Sequence, residues 1–395
     1  MSPTTTAARK TPRIAFARLR RPPAAAIVAA LALCALTLLS ACSDNAKSNP
    51  GGDSAQLIGP TIVRPAPEGE PRHLRLGFST LPPERTNDAY INTFATAAQY
   101  ADTILIQRVP PWEDFLPGAT VSSQTNELTR LETALLHQYS DLHLFFAIDP
   151  TDGVLQRSRI ANLPANVDPG AGFADPALRE AFVAYTTYIA ANYEPAYLAL
   201  GVEINMLYER NPEQFQAFVS LYDEAYTAAK EASPNTRVFP TFQLEDLEGT
   251  FGTIHPPHWE VLDFFKDHMD ALGISTYPFL ADVRSTADIR PDYYSQLRDH
   301  FEGDILISET GYASSPVEGK VNVGTEQDQQ AFLERILTDA ERNDFTAVIW
   351  LAALDPAFVA EGATSVFRDI GLRKSDGGNK LAWSSWEQWA RRPQQ

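Results

Sequence analysis

The sequence predicts a single (β/α)8 barrel of the TIM type, and three observations carry that prediction. Eight short apolar runs of strand character follow one another from His73 onward. Stretches with helical apolar spacing alternate with them, the pattern of a parallel sheet covered by helices. Neither Gly-x-Gly-x-x-Gly nor a Walker sequence follows the first run, which disfavours an open nucleotide-binding sheet. Eight βα units in roughly 320 residues suit a closed barrel.

The runs are Leu74–Ser79, Thr103–Gln107, Leu142–Ile148, Tyr197–Glu203, Val238–Phe242, Ala271–Tyr277, Ile305–Glu309 and Ala347–Leu351. Amphipathic segments such as Asp88–Tyr100, Pro176–Asn192, Pro212–Ala232 and Glu326–Arg342 supply the helices. Trp383, Trp386 and Trp389 recur at a spacing of three, which predicts a last helix packed on the barrel. The barrel is expected to occupy residues 73–391 as the only folded domain.

Residues 1–41 read as an export signal. Arg9, Lys10, Arg13, Arg18, Arg20 and Arg21 form a basic start, and Ala24 to Leu39 is apolar but short for a membrane span. The segment ends in Leu39-Ser40-Ala41-Cys42, which resembles the lipobox of bacterial lipoproteins. That resemblance implies cleavage before Cys42, a lipid on its thiol and a membrane anchor, in the outer membrane where the host has one. Ser43 to Arg72, rich in Ser, Asn, Gly and Pro, reads as a flexible tether over residues 42–72.

Cleavage would take the formal charge from −18 to −24, because the removed segment holds six bases and no acids. Such an acidic surface argues against nucleic acid or anionic lipid as partner and is compatible with neutral glycans. Cys34 and Cys42 are the only cysteines, so the mature domain has no disulfide and depends on the size of its core. A monomer without a cofactor is expected.

Two runs end in a glutamate: Tyr197-Leu-Ala-Leu-Gly-Val-Glu203 and Asp304-Ile-Leu-Ile-Ser-Glu309. Glutamate is a poor strand former and costly to bury unpaired, so two of them closing apolar strands suggest carboxylates raised to one barrel mouth. A pair of carboxyl groups is what glycosidic cleavage requires, one to protonate the leaving oxygen and one to attack the sugar. The remaining strand ends supply Arg108, Asp149, Asn205, Gln243, Tyr277 and Trp350, types that bind sugar hydroxyls and stack on sugar faces.

Together, Gly201-Val-Glu203-Ile-Asn205, Leu272-Gly-Ile-Ser-Thr-Tyr277-Pro278-Phe279, Ser308-Glu309-Thr-Gly-Tyr312 and Val348-Ile-Trp350 resemble the large clan of retaining (β/α)8 glycoside hydrolases. Within it, the motifs of the sixth and seventh strands look most like endo-β-1,4-galactanases. The resemblance implies Glu203 as general acid/base and Glu309 as nucleophile. It also implies Arg108 and Tyr277 on the nucleophile, and Trp350 as the floor beneath the sugar. Two departures stand out. Val202 replaces the asparagine that normally precedes the acid/base, with Asn205 as a candidate substitute, and Ala147-Ile-Asp149-Pro150 lacks the family's histidine.

Trp112, in the Pro-Pro-Trp-Glu-Asp-Phe turn after the second strand, suits a sugar subsite and a packed turn equally well. His255-Pro-Pro-His258 reads as a surface loop without a carboxylate at ligand spacing, so no metal is expected. Gln243, Asp246 and Glu248 read as a solvated acidic loop. The rival to a hydrolase is a glycan-binding surface lipoprotein that kept the barrel without catalysis.

Overall fold

The computed structural model describes residues 57–395, apart from 154–155, 253, 282, 284, 317–323 and 360–362. The expected signal segment and Cys42 lie outside the described residues. The chain forms a (β/α)8 TIM barrel. Its strands are β1 Arg75–Ser79, β2 Thr103–Arg108, β3 His143–Ile148, β4 Tyr197–Leu200, β5 Arg237–Phe239, β6 Thr241–Gln243, β7 Ala271–Thr276, β8 Asp304–Thr310 and β9 Ala347–Trp350. All neighbours run parallel in the order β5-β4-β3-β2-β1-β9-β8-β7-β6.

The ninth strand arises because the expected fifth strand is split at Pro240, which has no N–H to give to a ladder. Its first half, β5, pairs with β4, and its second half, β6, pairs with β7. The ring closes across that break: Thr241 N donates to Gly201 O at 3.0 Å, and Ile204 N donates to Thr241 O at 2.9 Å.

Both faces of the barrel wall are apolar, as a buried parallel sheet requires. Leu105, Phe145, Ala147, Ala199, Leu306 and Ile349 belong to one buried cluster, which fills the barrel. The alternate residues, among them Ile106, Phe146, Leu198, Ile307 and Val348, join the larger cluster beneath the helices. The long helices are Asn87–Tyr100, Ser123–Gln138, Pro176–Tyr193, Pro212–Ala232, Glu326–Arg342 and Leu381–Arg391. Five of them start on side-chain caps, Thr86, Ser122, Asp175, Asn211 and Thr325, which satisfy free amides of the first turn. On the last helix, Trp386 packs on Phe78 with ring centroids 4.4 Å apart and Trp383 meets Tyr100 edge-on, as the tryptophan spacing predicts.

Residues 58–72 of the expected tether are bound to the barrel. Ile58 and Gly59 donate to Gln138 Oε1, Arg64 donates to the carbonyls of Ala98 and Ala101, and Tyr139 donates to Pro60 O. Arg72 is buried, 2.7 Å from Asp102, and its backbone pairs with Pro393 and Gln395. The segment from Ile58 to Arg72 is therefore fastened to the barrel.

Candidate active site

Glu309 reaches the barrel mouth through a break in strand regularity. Leu306 faces the interior and Ile307 the helices, so strict alternation would send Glu309 outward. Between Ile307 and Thr310, β8 spends three steps where β9 spends two, from Val348 to Trp350. The same extra residue lies opposite Ile274 and Ser275 of β7. This bulge reverses the facing of the residues beyond it and turns Glu309 inward. There the hydroxyl of Tyr277, just past β7, donates to Glu309 Oε1 at 2.5 Å.

Glu203 arrives by a different irregularity. β4 ends at Leu200, three residues earlier than expected, because Gly201 takes φ 101° and Glu203 φ 51°. A left-handed conformation costs a non-glycine residue roughly 1–2 kcal/mol, and such strain gathers at functional sites. The turn is held by Thr241, whose hydroxyl accepts from Glu203 N at 3.0 Å. Val202 points into the barrel interior cluster rather than toward the mouth. The side chain at the family's asparagine position is thus a packing residue here.

The Glu203 carboxylate is 3% exposed and fully engaged. Arg157 Nε donates to its Oε2 at 2.6 Å, and Ser275 Oγ donates to its Oε1 at 2.6 Å. Arg157, itself 2% exposed, also bonds Asp149 at 2.7 Å and Thr151 at 2.9 Å. Burial alone would lower the guanidinium pKa, but Asp149 and Glu203 outweigh it and raise the value, so Arg157 is a fixed cation. The Glu309 carboxyl is pushed up to about 7, first by burial and then by the charge on Glu203, against the opposing Tyr277 hydrogen bond and Arg157. The two carboxyl groups therefore act on one another within a single site, and together with burial this disfavours ionisation of Glu309. Ser275 and Tyr277, two residues apart along the β7 path, each hold one of them.

Four of the residues expected around this pair lie elsewhere. Arg108 is not on Glu309. The inward facing of Leu105 puts Gln107 inside and Arg108 outside, where it bonds the fully buried Glu132 at 2.5 Å. The hydroxyls of Tyr90 and Tyr193 donate to the same carboxylate. Trp350 pairs in register with Phe78, which stacks on Trp386 of the last helix, so it too faces the helices. It is 0% exposed, packs on Phe332 and donates from Nε1 to Ile370 O at 2.8 Å, so it cannot floor a cleft. Trp112 is buried against Phe182 and donates to Ala161 O, which makes it the packed turn. Asn205 is buried behind the site. Its Nδ2 donates to Gln243 O and to Asp246, while its Oδ1 accepts from Gln243 N. It does not replace the missing asparagine.

Several supporting residues carry no mark in the sequence. Arg157 comes from the loop after β3, where nothing local singles it out. Ser275 lies inside β7, and its role emerges only with its partner, as does the bond of the strand-end Asp149 to Arg157. Glu245 lies in the stretch expected to be a solvated acidic loop, yet it is fully buried. It accepts from Thr276 Oγ1, Tyr293 OH, the Tyr277 amide and the Gln243 side chain. Its pKa is raised by burial, only partly offset by those bonds, and the array fixes the backbone from which Tyr277 projects. Asp246 is buried as well, and Glu248 pairs with Arg290.

No protein-family model and no curated protein sequence matches this chain. Solved structures do. The exo-beta-1,4-mannosidase from Opitutaceae bacterium strain TAV5 superposes with a TM-score of 0.61 at 17% identity, over 84% of this chain. This chain spans 62% of the length of that mannosidase. GH5_18 from Bifidobacterium longum subsp. longum, as a variant in complex with Manb1-4GlcNAc, gives a TM-score of 0.61 at 16% identity, over 82% of this chain and 80% of its own. A family 39 glycoside hydrolase from Bacteroides cellulosilyticus gives 0.53 at 16% identity, over 83% and 66%. The structural neighbours are glycoside hydrolases built on a (β/α)8 barrel, and at these identities the likeness is one of fold.

Proposed function

We propose that this chain is a glycoside hydrolase that cleaves a β-glycosidic bond with retention, using Glu203 and Glu309. The observation that supports the reading is the delivery of both carboxylates to one barrel mouth. A bulge turns one and a left-handed turn the other, and neighbouring side chains along the β7 path hold them. Irregularities of that kind have a stability cost that a purely structural barrel does not need. Glu309, bonded by Tyr277, is the nucleophile, and Glu203 is the acid/base. The galactanase-like motifs make β-1,4-galactan the first substrate to test. The mannosidase and the Manb1-4GlcNAc complex among the neighbours make β-mannosides the second. A panel of aryl glycosides and these polysaccharides, read for released sugar and for anomeric configuration, decides the matter. Inversion would exclude double displacement, and saturable glycan binding without any turnover would establish the binding-lipoprotein reading instead.

In the free protein burial and the charge on Glu203 disfavour ionisation of Glu309, whereas double displacement starts from an ionised nucleophile. Parting Arg157 from Glu203 on substrate entry would relieve that opposition. Removing the guanidinium makes both deprotonations of the pair harder, and the pair titrates as a unit. Arg157→Gln should shift the whole bell of kcat/KM against pH upward by about one unit, with Arg157→Lys closer to wild type. An unmoved profile in Arg157→Gln would show that Arg157 has no part in setting the charge of the pair.

We also propose that the protein is exported and anchored through a lipid on Cys42. Cys42→Ser should move it from the membrane to the soluble fraction. Mass spectrometry finding an unmodified mature N-terminus would end that proposal.

A further inference from the structure

The His255-Pro-Pro-His258 loop lacks a carboxylate at ligand spacing in sequence, but the fold brings two to it. Asp246 comes from the short helix Leu244–Leu247 after β6, and Glu209 from the short helix after the Glu203 turn. One donor atom each from Glu209, His255 and His258 lies within 4.8 Å of the others. The imidazole rings stack at 4.5 Å between centroids.

Hydrogen bonding gives both histidines the same polarity. His258 Nδ1 is 3.0 Å from Glu209 Oε1, and His255 Nδ1 is 2.8 Å from Pro256 O. A carboxylate and a carbonyl only accept, so each Nδ1 carries a proton and donates. The Nε2 atoms are left as the free ligand nitrogens. Both are buried without a hydrogen-bond partner, in His258 on a side chain whose residue is 3% exposed. Both face the Asp246 carboxylate, at 3.3 Å from Oδ2 and 3.9 Å from Oδ1. Nitrogen lone pairs opposed to a buried carboxylate repel unless a cation lies between them, either a proton on Nε2 or a metal ion. Tetrahedral ligands with bonds of about 2.0–2.2 Å stand about 3.4 Å apart, and the two nitrogens lie 3.3 and 3.9 Å from the Asp246 oxygens. A histidine that bonds a carboxylate or carbonyl through its other nitrogen is the usual support of a metal ligand.

We propose a divalent metal site of the zinc class here, with His255 Nε2, His258 Nε2 and the Asp246 carboxylate as ligands and Glu209 orienting His258. The site has a structural purpose. Asp246 Oδ2 also accepts from Asn205 Nδ2 at 2.7 Å, and Asn205 lies two residues beyond Glu203. The metal ties the loop after β6 to the turn that carries Glu203. The inference does not depend on the catalytic reading.

The test uses the full-length protein, stripped with a chelator and titrated with zinc chloride by calorimetry, with metal content measured after dialysis. One zinc per chain is expected, together with a rise in melting temperature. His255→Gln and His258→Gln should each weaken binding by more than Glu209→Gln, whose loss should be about 10–100-fold. His255 is the more accessible of the pair, so its variant decides the matter should His258→Gln fail to fold. The absence of stoichiometric zinc, or affinity unchanged in His255→Gln, would overturn the site and leave His258 as an imidazolium between Glu209 and Asp246.

Discussion

On the roles proposed above, Glu309→Ala is expected to lower turnover by about 10⁴–10⁶-fold, because it would remove the nucleophile of the first half-reaction. Azide should rescue it and yield a glycosyl azide of inverted configuration. Glu203→Ala should leave substrates with good leaving groups comparatively fast and slow the others severely, since only the latter need protonation. With azide, its product should retain configuration. Wild-type turnover in either variant would remove the assignment. The same position makes an opposite prediction for stability. The Glu309 carboxyl is raised to about 7 by burial and by Glu203, well above the ordinary value of about 4.3. The folded state therefore holds a proton that the unfolded chain releases. The stability this supplies is complete below about pH 4.3 and is lost as pH rises through about 7. Glu309→Gln cannot ionise, so it should exceed wild type in stability at pH 8 by on the order of 1–3 kcal/mol and lose that advantage by pH 4. Equal denaturation midpoints at pH 8 would mean the carboxyl is not held in that state.

Arg108→Leu should destabilise the fold by about 3–5 kcal/mol while leaving kcat of the folded protein unchanged. Glu132 is fully buried, and Arg108 is its cation; the tyrosine hydroxyls of residues 90 and 193 complete its bonds. Removing the guanidinium strands a carboxylate between the Asn87–Tyr100 and Ser123–Gln138 helices and the wall. Pairing the change with Glu132→Leu should restore most of the loss, since an apolar pair needs no compensating charge. A fall in kcat without a fall in stability would return Arg108 to the active site.

Why the sequence misplaces Arg108 and Trp350 while placing Glu203, Glu309 and Tyr277 has a physical answer. Strand positions, helix positions and the carboxylate pair are legible because apolar runs, capped amphipathic segments and out-of-place glutamates are local signals. Which way a side chain faces is legible only where one face of a strand is polar. In β2 and β9 both faces are buried, Leu105 and Ile349 toward the interior and Ile106 and Val348 toward the helices, so no alternation marks the phase. Position along the strand then says nothing about Arg108 or Trp350. Arg157 is hidden for a different reason. It acts through a loop that folds back on Thr151 and Ile160, so its partner is 46 residues away in sequence. Asp246 reads as a solvated loop residue because acids in loops usually are, and only the docking of His258 and Asn205 buries it.

The extra residue in β8 has a bearing on ancestry. Ser308 and Glu309 together fill the single step of β8 opposite Ile349, between Ile307 and Thr310. Loss of Ser308 would straighten the ladder to β9 and leave Glu309 inward, directly after the outward Ile307. Pairing Ser308, Glu309 and Thr310 in strict alternation would instead turn Glu309 beneath the helices and shift every partner beyond it. The facing of that carboxyl is thus set by the count of residues in the strand as much as by their identity, and comparisons between descendants that track substitutions alone would miss a change in it.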